Sequence, residues 1–334
     1  MNTIKKNGNK TKKHTIKKSN KTINLNSLYM LFGTYRLKSP ELEKCITRSL
    51  KIGYQGLDCA PVYQNEKQIG NVIIKAKINR KKIWIQSKLW RSVPIKKAIS
   101  NLKSSLRNLQ TDYLDCWLLH WPGPGRHLAF PPVLIKDNIK LPNPNPKVTT
   151  VPKDWKPPDR LLMFREMNKA IDLGLTKHLG VCNFSPKLLT QLLDFCQKHN
   201  LTKPSIVQNE FHPHLFNLKL LRLCKKHNIR FQAYGSLGNG NPTLLQDQLI
   251  NMLSEKYHKT PAQILLQWAN QHGCIIMPKS KNVNRIKENY QIISKPFQIS
   301  KNDMKKLDRL DQSNGNKNTL YAWLKEKDPD DYLL

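Results

Sequence analysis

Residues 83–121, IWIQSKLWRSVPIKKAISNLKSSLRNLQTDYLDCWLLHW, carry a complete strand–helix–strand pattern. The outer parts, 83–89 and 113–121, are short apolar runs of the kind that suits parallel strands covered on both faces. Between them Ile95, Ala98, Ile99, Leu102, Leu106 and Leu109 recur at helical spacing behind Pro94. The same unit repeats outward in both directions. Further apolar runs lie at 28–32, 56–60, 178–181, 206–211, 230–234 and 274–277, giving eight strands in all. Helices fit after Pro40 and near Glu66, Phe164, Leu220 and Leu245. A helix after Ser185-Pro186 buries Leu188, Leu189, Leu192 and Leu193. Thr260-Pro261-Ala262-Gln263 reads as a capping box with proline in the first turn, and Ser300 opens a last helix with Met304, Leu307 and Leu310 on one face. Eight strand–helix units in one chain predict an α/β fold of the (β/α)8 TIM-barrel type. A doubly wound open sheet is the competing arrangement, but no G-x-G-x-x-G follows the first strand.

The 334 residues contain 57 Lys and Arg against 23 Asp and Glu, a formal charge of +34. Residues 1–26 are rich in Lys, Asn and Thr, half-repeat themselves, and offer too little apolar surface to offset their ordering entropy. They are expected to be a disordered tail, with 27–334 forming the barrel. The excess charge continues past the tail, which favours a chain-wide Lys bias over a dedicated nucleic-acid arm. No specific nucleic-acid partner is expected, since no Lys/Arg block interleaved with aromatics occurs in the barrel region. The absence of a long apolar run and of a secretory leader predicts a cytoplasmic protein without membrane attachment. The seven cysteines have no C-x-x-C spacing and lie mostly in apolar runs, so buried free thiols are expected, with no metal.

Under a parallel barrel, residues at the C-terminal ends of strands meet at one mouth. Asp58 closes the second strand and Tyr63 follows in its loop; Lys88 and His120 lie near the ends of the third and fourth. Taken singly each has an ordinary role: a helix cap, a packing ring, one lysine of many, a core histidine. Together they suit one reaction. Reducing a carbonyl needs a hydride at carbon and a proton at oxygen. A phenol is a poor acid near neutrality, and an adjacent ammonium lowers its pKa. A carboxylate holds that ammonium in place, and an imidazole orients the carbonyl and stabilises developing oxyanion charge.

The stretch Gly53-Tyr54-Gln55-Gly56-Leu57-Asp58-Cys59-Ala60-Pro61-Val62-Tyr63-Gln64-Asn65-Glu66 resembles the Asp-x-Ala-x-x-Tyr-x-Asn-Glu motif of the aldo-keto reductases. Leu118-Leu119-His120-Trp121-Pro122, Gly180-Val181-Cys182-Asn183-Phe184, and Met277-Pro278-Lys279-Ser280 with Arg285 and Glu288-Asn289 are similar to further motifs of that family, and Gly33-Thr34-Tyr35 to the end of its first strand. The resemblance runs in order from about residue 28 to 311. It implies a barrel that binds NADP(H) across its mouth, with Asp58, Tyr63, Lys88 and His120 as catalytic tetrad. It further implies that Asn183 and Gln208 hold the nicotinamide carboxamide and Tyr234 stacks on the ring. Thr34, Tyr35, Asp58 and Leu237 line the cofactor, Lys279, Ser280 and Arg285 bind the 2′-phosphate, and Glu288 and Asn289 meet the adenine end. A cationic pair with a hydroxyl suits a phosphate monoester. Two positions depart from the family pattern: Cys182 and Gly235 each replace a cofactor-binding serine, with a looser grip as the expected result.

The resemblance places Tyr35, Tyr63, Trp90, His120 and Trp121 around a small-molecule carbonyl substrate, with a Pro-rich stretch after the fourth strand and a C-terminal substrate loop completing the pocket. A monomer is expected. An NADP(H)-binding sensor or regulatory subunit with little turnover is the alternative function, and the intact tetrad argues against it.

Overall fold

Side chains along each strand alternate between two apolar surroundings, and that alternation builds the architecture. Leu57, Ile85, Trp117, Val181, Val207 and Phe231 face outward into a layer shared with the helices. Leu31, Trp84, Leu118, Ile206, Ile275 and Met277 face a second, enclosed cluster. A sheet that buries both faces, one against helices and one against itself, must curl and close. The computed structural model describes residues 23–90, 93–123, 159–238 and 242–311. The strands are β1 (Phe32–Gly33), β2 (Gly56–Asp58), β3 (Trp84–Leu89), β4 (Cys116–Leu119), β5 (Leu179–Cys182), β6 (Ile206–Glu210), β7 (Arg230–Tyr234) and β8 (Ile275–Ile276). They pair in sequence order, all parallel. The ring closes where Leu31 N donates to Ile276 O at 2.9 Å and Ile276 N donates to Tyr29 O at 2.9 Å. The predicted (β/α)8 barrel is therefore the fold.

The outer layer comprises α1 (Glu41–Ile52), α2 (Glu66–Lys75), α3 (Ala98–Leu109), α4 (Asp159–Asp172), α5 (Pro186–Lys198), α6 (Leu218–Lys226), the short α7 (Pro242–Leu245), α8 (Gln248–Tyr257), α9 (Pro261–Gln271), α10 (Val283–Ser294) and α11 (Lys301–Asp308). The caps read from sequence are in place. Ser185 accepts from Leu188 N at 3.2 Å, the Thr260–Gln263 box is complete, and Ser300 accepts from Asp303 N at 3.1 Å. Helix α10 was not anticipated. Its buried face is Ile286, Asn289 and Ile292, with Tyr290 and Ile293 partly buried against the same core, and its start is set by Asn282, whose side chain accepts from Asn284 N and Arg285 N.

The barrel floor begins before the expected boundary at residue 27. Asn24 caps a 3-10 turn over Leu25–Ser27, and Ile23 and Leu25 pack on the enclosed cluster. The Arg230 guanidinium ties this turn down, donating to Leu25 O, Asn26 O and Leu28 O at 2.8 to 3.1 Å. The start of the tail, the Pro-rich stretch over 124–158 and the C-terminal residues 312–334 lie outside the described residues. All seven cysteines are buried and free, as their apolar settings predicted. Among the described residues no helix is long and apolar enough to cross a membrane.

Candidate active site

The strand register brings Asp58, Lys88 and His120 to one rim. Asp58 ends β2 opposite Gln86 of β3, and Lys88 pairs with Leu118 of β4, two residues before His120. Tyr63 reaches the same rim on a 3-10 turn, Pro61–Tyr63, whose proline presets the backbone. Lys88 is fully buried, and its Nζ donates to Asp58 Oδ1 at 2.7 Å, Asp58 Oδ2 at 2.8 Å, Cys59 O at 2.9 Å and Tyr63 Oη at 3.2 Å. Asp58 thus holds the lysine and caps no helix. The His120 ring lies edge-on to Tyr63 with centroids 5.9 Å apart, and edge-on to Trp90 at 5.1 Å. Tyr35 leans on Tyr63 at 5.0 Å, and Trp121 stacks beside His120 at 6.4 Å. The residues expected around the substrate therefore form one aromatic-walled cup over the tetrad.

One electrostatic expectation is corrected. Proximity to Lys88 predicted a lowered phenol pKa, yet Tyr63 is pushed above its ordinary value. Burial is the larger influence and the Lys88 ammonium only partly opposes it. Burial also pulls on Lys88, but Asp58 and Tyr63 outweigh it and raise the lysine overall. The cluster thus holds a protonated phenol beside a charged ammonium, an arrangement able to give a proton to an oxygen placed against it.

Several positions tied by resemblance to a cofactor follow one another along the strand ends from β5 to β8 and into α10, as an arc. Asn183, in the left-handed region at φ 63°, donates through Nδ2 to His120 O at 2.9 Å and accepts from Tyr234 Oη at 2.6 Å. Cys182 donates through Sγ to Gln208 Oε1 at 3.6 Å. The Thr34 hydroxyl donates to Asp58 O at 2.7 Å and so ties β1 to β2 at the rim. Gly235 is left-handed at φ 64°, and a Cβ there would meet Glu210 Cγ at 3.2 Å and Oε1 at 3.3 Å, which accounts for glycine in place of serine. Leu237 packs on the outer core. Glu288 accepts from the Thr260 hydroxyl at 2.8 Å, so its carboxylate also anchors α9; Asn289 beside it is buried.

Sequence reasoning passed over two cations of this arc. Burial, then Lys281 and Arg36, push the Lys279 ammonium below its ordinary value. These three cations converge near Ser280, at the start of α10, with exposed Arg285 one turn on. Arg36 directly follows Gly33-Thr34-Tyr35, so extending that motif by one residue would have found it.

Glu210 and His212, behind the β7 loop, were also missed. His212 Nε2 and Glu210 Oε1 are 3.3 Å apart. Burial holds His212 down to about 4 and pushes Glu210 well up. A depressed folded-state pKa gives stability that is full above the unfolded value of 6.5 and is lost as pH falls toward 4. Denaturant unfolding of wild type is expected to show about 3 kcal/mol more loss across that window than His212→Gln. Parallel curves for the two proteins would remove this assignment.

A closed eight-stranded barrel whose rim carries a phenol, an ammonium–carboxylate pair and an imidazole in an aromatic cup is the architecture of an oxidoreductase of carbonyl and alcohol groups. The profile of the Aldo/keto reductase family matches residues 29–312, and the chain belongs to that family. It is 34% identical over 290 residues to aldose reductase C of Dictyostelium discoideum, covering 83% of this chain and 84% of that protein. It is 30% identical over 311 residues to the NADP-dependent D-sorbitol-6-phosphate dehydrogenase of Malus domestica, covering 87% and 94%. Among solved structures, the aldose reductase of Schistosoma japonicum superposes with a TM-score of 0.72 at 30% identity, covering 90% of this chain and 93% of that one.

Proposed function

We propose that the chain reduces aldehydes and ketones to alcohols with NADPH, Tyr63 giving the proton to the carbonyl oxygen. The observation that carries this reading is the Tyr63 hydroxyl 3.2 Å from a lysine that is itself fixed on Asp58. The residues present fit the cofactor. Lys279, Lys281 and Arg36 repel one another across a partly buried arc, and a phosphate dianion there relieves that repulsion. Ser280 and Arg285 add a hydroxyl and a guanidinium fork. The apple relative is named for NADP, in keeping with this set. NADPH, when bound, supplies the hydride for the carbonyl carbon.

The chain's own residues do the rest. His120 directs a hydrogen bond at the carbonyl oxygen and sets it against the Tyr63 hydroxyl. As that oxygen gains charge it draws the phenolic proton, and Lys88 stabilises the phenolate left behind. Asp58 keeps Lys88 charged and stationary. Tyr35, Trp90 and Trp121 exclude water and favour carbonyl compounds with apolar or aromatic bodies.

The test is a panel of aldehydes and ketones, nitrobenzaldehyde included, followed by NADPH oxidation. Turnover is expected; tight NADPH binding with no turnover on any member would leave a sensor role instead. Wild type is also expected to prefer NADPH over NADH, and Arg285→Ala to lose about tenfold of that preference, as one charge-assisted phosphate contact is removed. Equal use of both cofactors by wild type would overturn the phosphate site.

A further inference from the structure

Directly beneath the rim the barrel interior holds an amide layer that the proposed chemistry does not use. Gln86 of β3, Gln208 of β6 and Gln232 of β7 are all buried; the first two meet at Asp58, and Gln232 bridges them. Trp84 Nε1 donates to Gln86 Oε1 at 2.9 Å. An indole N–H can only donate, so this contact fixes which end of the Gln86 amide is oxygen. Gln86 Nε2 then points the other way, donating to Asp58 Oδ1 at 2.7 Å and Gln232 Oε1 at 2.8 Å. Gln232 returns a hydrogen bond from Nε2 to Gln86 Oε1 at 2.9 Å. Its own Oε1 also receives Gln208 Nε2 at 2.9 Å, while that same Gln208 nitrogen donates to Asp58 Oδ1 at 3.0 Å. Each amide nitrogen in the layer meets an acceptor, and only one sense of the three amides allows it.

We infer that Trp84, Gln86 and Gln232 are positioning residues: Gln86 holds Asp58 from below, and the three together fix the amide polarity of Gln208, so that Gln208 offers the cofactor an oxygen and never an N–H. Its Oε1 faces Cys182, whose thiol donates weakly at 3.6 Å and is displaced at little cost. The inference rests on the NADP(H) reading above. Under it, the nicotinamide carboxamide is taken through its NH2 group, and the layer ties the ring's orientation to the carboxylate that holds Lys88.

The test is equilibrium binding, measured by calorimetry without turnover. Two dinucleotides are compared: NADP+ and its 3-acetylpyridine analogue, which keeps the carbonyl but replaces NH2 by CH3. Wild type is expected to bind NADP+ about tenfold more tightly, because the analogue leaves the Gln208 oxygen facing a methyl group. In Gln232→Leu, and again in Gln86→Leu, the ratio is expected to fall to about twofold as Gln208 gains freedom to turn. General loosening of the barrel weakens both ligands together and leaves the ratio alone. Trp84→Phe, which keeps an aromatic side chain while removing the N–H with the pyrrole half of the indole, is expected to lower the ratio part-way, and it decides the matter if a leucine variant fails to fold. A wild-type ratio near one overturns the polarity assignment, and a ratio unchanged in the variants overturns the positioning role. Binding of neither dinucleotide by wild type overturns the NADP(H) reading itself.

Discussion

Tyr63→Phe is expected to lower the turnover number for aldehyde reduction by roughly 10²–10⁴-fold, the range associated with one positioned proton donor. The dissociation constant for NADP+ is expected to stay unchanged. The substitution is unusually clean at this site. The phenyl ring keeps its contacts with Tyr35 at 5.0 Å and His120 at 5.9 Å. Lys88 loses one oxygen at 3.2 Å but keeps both Asp58 oxygens and Cys59 O, so no buried charge is stranded. Stability therefore holds while chemistry fails. Stopped-flow single turnovers with calorimetric binding on the same preparation separate the two. Retained turnover in Tyr63→Phe would transfer the proton to another group, Lys88 or His120.

Lys88→Met is expected to produce the other large effect, and it falls on the fold as well as on the reaction. The lysine is fully buried, and removing it leaves the Asp58 carboxylate facing a thioether. Stranding one partner of a buried pair costs about 3–5 kcal/mol. The Gln86 and Gln208 amides, at 2.7 and 3.0 Å from Asp58 Oδ1, keep the carboxylate hydrogen-bonded and bring the expected loss toward the lower end. Turnover falls too, because burial of Tyr63 then acts without the opposing ammonium and makes the phenol a weaker acid. Urea denaturation measures the first effect, and the double variant Asp58→Asn/Lys88→Met separates the two. Removing both charges is expected to restore much of the stability and none of the turnover. Equal destabilisation in the single and double variants would show that packing around the lysine stem, and not charge, sets the cost.

Much of the site was legible because barrel topology converts strand ends into neighbours. Asp58, Lys88 and His120 are far apart in sequence, yet placing each at its strand end suffices to bring them together. The capping boxes were legible for a similar reason, since Thr260 and Gln263 act over a single turn. What stayed hidden depends on enclosure or on register across the interior. The phenol pKa was misjudged because sequence shows the charged neighbour and not the desolvation that outweighs it. Gln86 and Gln232 drew no reading from the sequence; only the barrel register turns both inward, where Gln86 meets Asp58 and Gln232 meets Gln86 and Gln208. Helix α10 escaped notice because its residues were read only as binding positions, although Ile286, Tyr290 and Ile293 recur at helical spacing and pack on the core.

The Arg230 clamp has a bearing on how the molecule is handled and what is attached to it. It fastens the turn at Leu25–Ser27 to the start of β7, whereas Tyr63, Lys88 and His120 open at the opposite pole of the barrel. The lysine-rich leader is therefore covalently joined at the back door. A purification handle, a surface tether or a fused protein placed ahead of Ile23 joins the described barrel at the pole remote from the chemistry.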